Sequence, residues 1–474
     1  ELDAFIKHTL KQQYNGQAAP QIAIVSPIAF EDLSDQYDLP NGKKENENLL
    51  LYTQGMKAVA DSNKVLFVDA FAPSKKWYDA TKEALTIDGS QLNDEGYKKL
   101  SVLLTDEVFG KRSPKAEVNR AMVLAAVKEK NWMWHDDFKI PNGVHVYGRR
   151  YNPFGPDNYP AEIEKIRQMT AIRDTAVWLA ASKGEQMDIA AADKNTLQLP
   201  PVKTNYNPKA NGSLTYLYGQ EALSKLKVPD GYKIELFASE EEFPELAKPM
   251  QMSFDNKGRL WVATMPSYPH YKPGDPKPDD KIIILEDTNA DGKADKVTVF
   301  ADKLHLPVGF EIAPEGVYVS QGTNLKLFTD TDGDDKADKV EILLSGFDDH
   351  DTHHNSHAFT ADPSGAIYSG EGVFLHTNVE TSYGPVRATN GGFYRYAPQL
   401  HKLERTAQLS IPNPWGIAFD EWGQPFFAET SGPDVRWMMP GTVLPRYGEA
   451  THKSFNLIEE AHKVRPTSGL EFIS

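Results

Sequence analysis

The segment 346–359 reads GFDDHDTHHNSHAF, and it groups four histidines, His350, His353, His354 and His357, with Asp351 inside eight residues. A neutral imidazole beside a carboxylate is a general base matched to pH near 7, suited to removing a hydroxyl proton. Asp351 is the neighbouring carboxylate in this cluster. A structural role is the second reading, because neighbouring residues on a strand face opposite ways and four rings cannot all converge. Imidazole and carboxylate also ligate zinc, iron or copper, so a transition metal on His353, His354 or His357 is the third, against which adjacent histidines rarely ligate one ion together. His270, in the phrase SYPHY, is a candidate for the same cavity.

Just upstream, one acidic loop occurs twice. Asp287, Asn289, Asp291 and Asp295 recur 43 residues later as Asp330, Asp332, Asp334 and Asp338. Oxygen side chains at alternating positions, with Gly292 in the turn, suit a hard cation, and calcium is the expected ion. Such turns also form without metal, by bonding their own backbone amides. The second loop has Asp335 where the first has Gly292, which leaves the tight turn to Gly333. Residues 275–351 hold 19 Asp and Glu against 8 Lys, so most of the net charge of −16 sits here. An acidic chain of this kind argues against nucleic acid or anionic membrane as partner.

The elements that must position these groups fall into several domains, as 474 residues predict. Residues 1–112 read as α/β: an opening helix, a strand from Gln21, a helix over 46–61, a strand from Val65, a loop, and a helix from Asn93. Residues 113–182 read as a helical connector, with helices over 117–130 and from Tyr159, the latter opened by Pro160. An aromatic loop from Trp132, with Arg149 and Arg150, lies between them. Residues 183–228 read as a linker. From 229 to 474 the texture is short strands and turns. Four hairpin phrases begin at Met252, Phe310, Phe359 and Ile417, and a fifth opens at Leu470. Repeats of that length with hairpin texture predict a β-propeller, incomplete at the C-terminus. There is no cysteine, which excludes disulfides, iron–sulfur clusters and covalently attached c-type haem from this chain. No apolar run approaches the roughly 18 residues of a membrane span. No signal peptide precedes the opening Glu1, so upstream sequence with any targeting signal is expected.

Two resemblances add to this. The phrase LTIDGSQLNDEGYKKL, at 85–100, resembles the closing block of SGNH (GDSL-type) hydrolases, in which an Asp orients the catalytic His. Asp88 matches the Asp, but Gln91 stands at the His, so this partial domain is expected to be inactive as it stands. The phrases PDGYKIELFASE, DKIIILEDTNADGKAD, GFDDHDTHHNSHAF and NPWGIAFDEWGQPFF resemble the membrane-bound dehydrogenase propeller of large multidomain proteins from planctomycete-type bacteria. That family combines an SGNH-like domain, the propeller, helical repeats and a c-type cytochrome. More distantly, the region is similar to soluble quinoprotein sugar dehydrogenases, where a His before the turn matching 363–368 accepts the hydroxyl proton. This resemblance implies His354 or His357 as base, pyrroloquinoline quinone as cofactor, and Arg387 and Arg395, with His270, around it.

The expectation is therefore a multidomain chain: a partial SGNH-like α/β domain, a helical connector and a calcium-loop propeller. Its leading function is oxidation of a sugar or similar alcohol in the periplasm or at the cell surface, with electrons passed to a cytochrome partner. A non-catalytic carbohydrate-binding or scaffold propeller is the first alternative. A carbohydrate esterase completed by upstream sequence is the second.

Overall fold

The computed structural model describes every residue except 112–118, 141, 149–150, 204–206, 208, 210–215, 433, 440–441, 445–453, 463–467 and 473–474. Arg149, Arg150 and the boundary expected at 112/113 lie outside the described residues. The chain forms two compact units: residues 1–117 with 381–385 and 397–402, and the remainder. Among the described residues no helix is long and apolar enough to cross a membrane.

In the first unit β1 (Ala23–Val25) and β2 (Leu66–Val68) pair in parallel. The helices are α1 (Leu2–Thr9), α2 (Lys43–Asn63), α3 (Phe71–Ala80) and α4 (Asp94–Phe109). β1 is shorter than the apolar run suggested, because Pro27 has no amide for a ladder. The stretch read as a loop after β2 contains α3. Asn93 caps α4, its Oδ1 accepting from the Gly96 amide at 3.0 Å. Asp88 uses Oδ1 to close its own turn, accepting from the Ser90 and Gln91 amides at 2.9 Å.

The second unit opens with α5 (Arg120–Phe138), α6 (Gly143–Val146), α7 (Phe154–Asp157), α8 (Tyr159–Lys183) and α9 (Ile189–Asp193). α5 and α8 pack on each other around Met133, Ile166 and Met169. The aromatic stretch from Trp132 thus begins as the end of α5 and includes α6, rather than being a loop throughout. The first part of the expected linker, around α9, folds back onto α8. Buried Arg173 donates to Asp193 at 2.9 and 3.0 Å, and Lys165 Nζ donates to Thr196 Oγ1 at 3.0 Å.

Four successive antiparallel sheets follow, the blades of a β-propeller. Blade 1 is β3 (Pro249–Phe254), β4 (Leu260–Thr264), β5 (Asp280–Glu286) and β6 (Lys296–Leu304). Blade 2 is β7 (Pro307–Ala313), β8 (Gly316–Gln321), β9 (Asn324–Thr329) and β10 (Lys339–Ser345). Blade 3 is β11 (His357–Ala361), β12 (Ile367–Glu371), β15 (Gly392–Ala397) and β16 (Lys402–Gln408). A two-stranded insertion, β13 (Asn378–Thr381) and β14 (Gly384–Arg387), interrupts it. Blade 4 is β17 (Gly416–Phe419), β18 (Pro425–Glu429) and β19 (Asp434–Trp437). Residues 468–472, where a fifth hairpin was expected to begin, form no strand.

Strand alternation sends successive side chains to opposite blade faces, and each face packs on a neighbouring blade. On β8, Val317 and Val319 pack with Ile284 and Phe300 of blade 1, while Tyr318 packs with Phe359 and Tyr394 of blade 3. On β15, Phe393 turns instead to Ile417 and Phe427 of blade 4. Each such Phe or Ile contributes roughly 1.5–3 kcal/mol on burial. Met252, the counterpart of buried Phe310, is 64% exposed. The segment 237–246 covers blade 1 over Val262 and Ile283 and does not reach it.

The first strands of the blades lie side by side, and one amide ties three of them. Gln251 on β3 donates through Nε2 to the Phe310 carbonyl at 2.7 Å and the Phe359 carbonyl at 3.3 Å. Its Oε1 accepts from the Phe359 amide at 3.3 Å. Phe359 sits where β11 slips register against β12, so its own ladder bonds are missing. Gln251→Leu is expected to leave these groups unpaired and lower stability by about 1–3 kcal/mol, measured by urea unfolding.

Candidate functional site

Strand direction sorts the candidate residues onto two faces. Each blade's first strand runs from a crossover loop down to a hairpin turn, so crossovers occupy one face and the first hairpins the other. The segment 346–356 is the crossover from β10 to β11, and 409–415 is the next, from β16 to β17. The acidic hairpins 287–295 (β5 to β6) and 330–338 (β9 to β10) lie on the opposite face.

Within the crossover, the His354 amide donates to the Asp351 carbonyl at 2.9 Å, and this tight turn stacks three side chains. Asp351 is fully buried. Its Oδ1 lies 2.8 Å from His353 Nδ1 and its Oδ2 lies 3.1 Å from His354 Nδ1. Neither approach lies along a hydrogen-bond direction, so both carboxylate oxygens and His354 Nδ1 lack an aligned partner. Burial opposes the charge on Asp351, but the two imidazoles outweigh it and hold the carboxyl below its ordinary range. The adjacent rings of His353 and His354 are 3.9 Å apart between centroids. His353 is the partly exposed member, and the Tyr268 hydroxyl stands 3.4 Å from its Nδ1.

His354 is oriented from behind by residues that sequence reasoning did not single out. Its Nε2 donates to Asn413 Oδ1 at 2.7 Å, across to the next crossover. Asn413 Nδ2 in turn donates to Ser431 Oγ, and the Asn413 amide donates to Glu429 Oε1 at 3.0 Å. Gly372 makes room for the ring, since a Cβ there would stand 2.7 Å from His354 Cγ and Cδ2. Asn413 opens the NPWG phrase, its only sequence signal, and 59 residues separate it from His354.

The other candidates lie apart from this group. His357 is fully buried, with Nδ1 2.6 Å from the Asn355 carbonyl and Nε2 3.1 Å from the Pro414 carbonyl. It stacks on Trp415 at 3.8 Å. Burial lowers its pKa to about 3, so it stays neutral and holds blade 3 to blade 4. His270 faces Glu162 of α8 at 3.4 Å. Arg395 completes the β11–β12 turn on the opposite face, donating to Asp362 Oδ2 at 2.9 Å and Ser364 Oγ at 3.0 Å. Arg259 plays the same part at Asp255 in blade 1, at 2.7 Å. Arg387 is exposed in the blade 3 insertion and donates to Asn378 Oδ1 at 2.9 Å.

The two acidic hairpins share one backbone. Ala290 and Gly333 both take positive φ, as do Gly292 and Asp335, so the glycine has exchanged places within an unchanged turn. Arg259 Nη1 holds Asp335 at 2.8 Å. Asp287 and Asp330 accept from the turn amides, with bonds to Gly292 at 2.8 Å and Gly333 at 2.7 Å. Ligand oxygens of Asp330, Asp332 and Asp338 come within 4.8 Å of one another.

Residues 219–472, over half of the sequence, match the family described as "Domain of unknown function (DUF7133)". The chain belongs to the DUF7133 family. No curated protein matches it. Several solved structures are similar to it at low identity. The PQQ-bound aldose sugar dehydrogenase from Streptomyces coelicolor is 12% identical, with 48% of this chain covering 72% of that one at a TM-score of 0.30. The calcium-binding protein regucalcin from Agrobacterium tumefaciens is 18% identical, with coverages of 47% and 63% and a TM-score of 0.30. A nidogen/laminin complex is 12% identical, with coverages of 48% and 68% and a TM-score of 0.31. Such loose superpositions transfer no site residue.

Next to Gly372, at the end of β12, Glu371 is fully buried. It accepts from the Tyr394 hydroxyl at 3.0 Å and from Thr377 Oγ1. Arg405 Nη1 is 3.5 Å away but is not aligned to donate. Burial therefore dominates and raises the carboxyl to about 7. Folding keeps this proton on, so its contribution is complete below about pH 4.5 and lost as pH rises through 7. Unfolding free energy is expected to fall between pH 5 and 8 by on the order of 2–3 kcal/mol more in the wild type than in Glu371→Gln, by urea titration.

Proposed function

We propose that this chain is the propeller of an extracytoplasmic dehydrogenase that oxidises a hydroxyl of a sugar or similar alcohol and passes the electrons to a cytochrome partner. The observation that carries the reading is the buried Asp351 carboxylate facing two imidazole nitrogens on the crossover face. Oxidation of an alcohol removes a proton from oxygen and an electron pair, as hydride, from carbon. A carboxylate–imidazole group is suited to the hydroxyl proton. The electron pair requires a hydride acceptor, which the quinoprotein resemblance makes one of the quinone class.

A cavity of about 390 Å³ shares Thr352 and Asn355 with the same loop, and Gln321, Asn324, Lys326 and Asp349 also line it. Convergent amide, ammonium and carboxylate groups suit a hydroxyl-rich ligand of that size. Pyrroloquinoline quinone does not fit the arginines expected to clamp it. Arg395 is committed to Asp362 on the far face and Arg387 to Asn378, so no step is assigned to that cofactor. The membrane-bound dehydrogenase resemblance supports the cytochrome partner and the periplasmic or cell-surface setting. The SGNH-like reading of residues 1–112 enters as a non-catalytic remnant, because the amide of Gln91 cannot act as a base.

The full chain, assayed with a redox dye and a soluble quinone against aldoses, polyols and primary alcohols, is expected to oxidise at least one of them. Asp351→Asn should lower kcat by about 100-fold or more. Binding of a sugar without oxidation by the wild type would instead establish a carbohydrate-binding propeller.

We further propose calcium in the acidic hairpins, where it would clamp the blade edges, with Asp330, Asp332 and Asp338 as the better-gathered set. Calcium is expected to raise the melting temperature by several degrees, and a chelator to reverse it. Asp332→Ala should abolish most of the shift.

A further inference from the structure

We infer that Asp351, His353 and His354 form a binding site for one divalent transition-metal ion. The inference stands apart from the dehydrogenase reading, because an ion held here could equally serve a hydrolytic or a purely structural centre.

Charge comes first. A carboxylate with no exposed surface and no aligned donor on either oxygen is unfavourable unless a positive charge sits against it. Lys139 reaches this loop but stops at Asp349, 3.1 Å away, and Asp348, 3.8 Å away. The positive charge at Asp351 must come from its two imidazoles or from an ion between them.

In its neutral form His354 leaves that charge to an ion. Asn413 donates through Nδ2 to Ser431 and so presents Oδ1 to His354 Nε2, which carries the proton. A neutral His354 then sets the unprotonated Nδ1 3.1 Å from a carboxylate oxygen, a repulsive proximity that a cation beside them relieves. A ligating imidazole whose far nitrogen donates to a protein oxygen is the usual support of a metal-bound histidine.

Spacing agrees. Donors at right angles around an ion with bonds of about 2.1 Å stand about 3.0 Å apart, and tetrahedral donors about 3.4 Å. The observed separations are 2.8 and 3.1 Å, and neither is aligned as a hydrogen bond. Adjacent histidines rarely share an ion because their side chains diverge, but the turn closed by the Asp351 carbonyl turns both Nδ1 atoms to one side. Two nitrogens and a carboxylate select zinc, cobalt, iron or copper over calcium or magnesium.

The test is cobalt(II) titration of the chelator-stripped full chain, with excess calcium present to fill oxygen-only sites. One cobalt per chain is expected, with the visible absorption of a nitrogen-coordinated ion and displacement by zinc. Asp351→Asn and His354→Gln should abolish the absorption. Asn413→Ala, outside the donor set, should weaken binding 10–100-fold. His350→Ala should leave it unchanged. Circular dichroism verifies that each variant is folded, and where a ligand variant unfolds, the Asn413 and His350 variants decide. Absent absorption in folded wild type, or equal binding in all variants, would overturn the site and leave a structural imidazole–carboxylate cluster.

Discussion

Each central blade of this propeller is apolar on both faces, and neither face has anything to bury against except the next blade. β8 shows it within three residues: Val317 and Val319 belong to one interface and Tyr318 to the other. A sheet so built must be followed by another, and the chain must return each time from an outer edge to the axis. Those returning crossovers cannot join a ladder, so their backbone polar groups are satisfied singly. Gly346 and Phe347 donate to the Thr323 carbonyl, at 3.0 and 3.2 Å, and Asp348 donates to Thr377 Oγ1 at 3.0 Å. Freed from ladder geometry, the segment can fold into the turn that gathers Asp351, His353 and His354.

The same loop treats two neighbouring aspartates in opposite ways. Asp348 accepts from the His376 amide at 2.7 Å and from the His350 amide at 3.0 Å, and His350 Nδ1 lies 2.9 Å from it. It is a satisfied structural carboxylate. Asp351 receives no aligned donor at all, although it is the more deeply buried. Buried carboxylates are ordinarily supplied with hydrogen-bond donors, as Asp348 is by amides and Glu371 by hydroxyls.

The sequence made the repeat legible because turn chemistry is local. Asp255, Asp362 and Asp420 each accept from the amides two and four residues on, and these hairpins mark the blades. The acidic loops were legible for the same reason. The site was legible only as a cluster. Which rings converge depends on the turn at Asp351, and on Ala358, whose positive φ and register slip place His357 in the blade 3–4 seam. Arg395 lies on the far face, because the length of β11 carries its partner Asp362 there. Asn413, Gly372 and Gln251 act across blades, through separations that no local pattern reveals.

The helices ahead of the propeller take part in the same logic. The Val144 amide of α6 donates to the His350 carbonyl at 3.0 Å, and Tyr147 engages the ring of His350. Gly143 permits this, since a Cβ there would meet His350 Cδ2 at 2.7 Å. Lys139, just past the end of α5, holds Asp349 at 3.1 Å. The crossover is therefore fixed on one side by Thr323 and Thr377 of the blades and on the other by α6 and the end of α5. A loop gripped from both sides loses little further freedom when a ligand arrives, which is what a site of three converging side chains requires. The stretch that reads in the sequence as a connector is, in structural terms, one wall of the site.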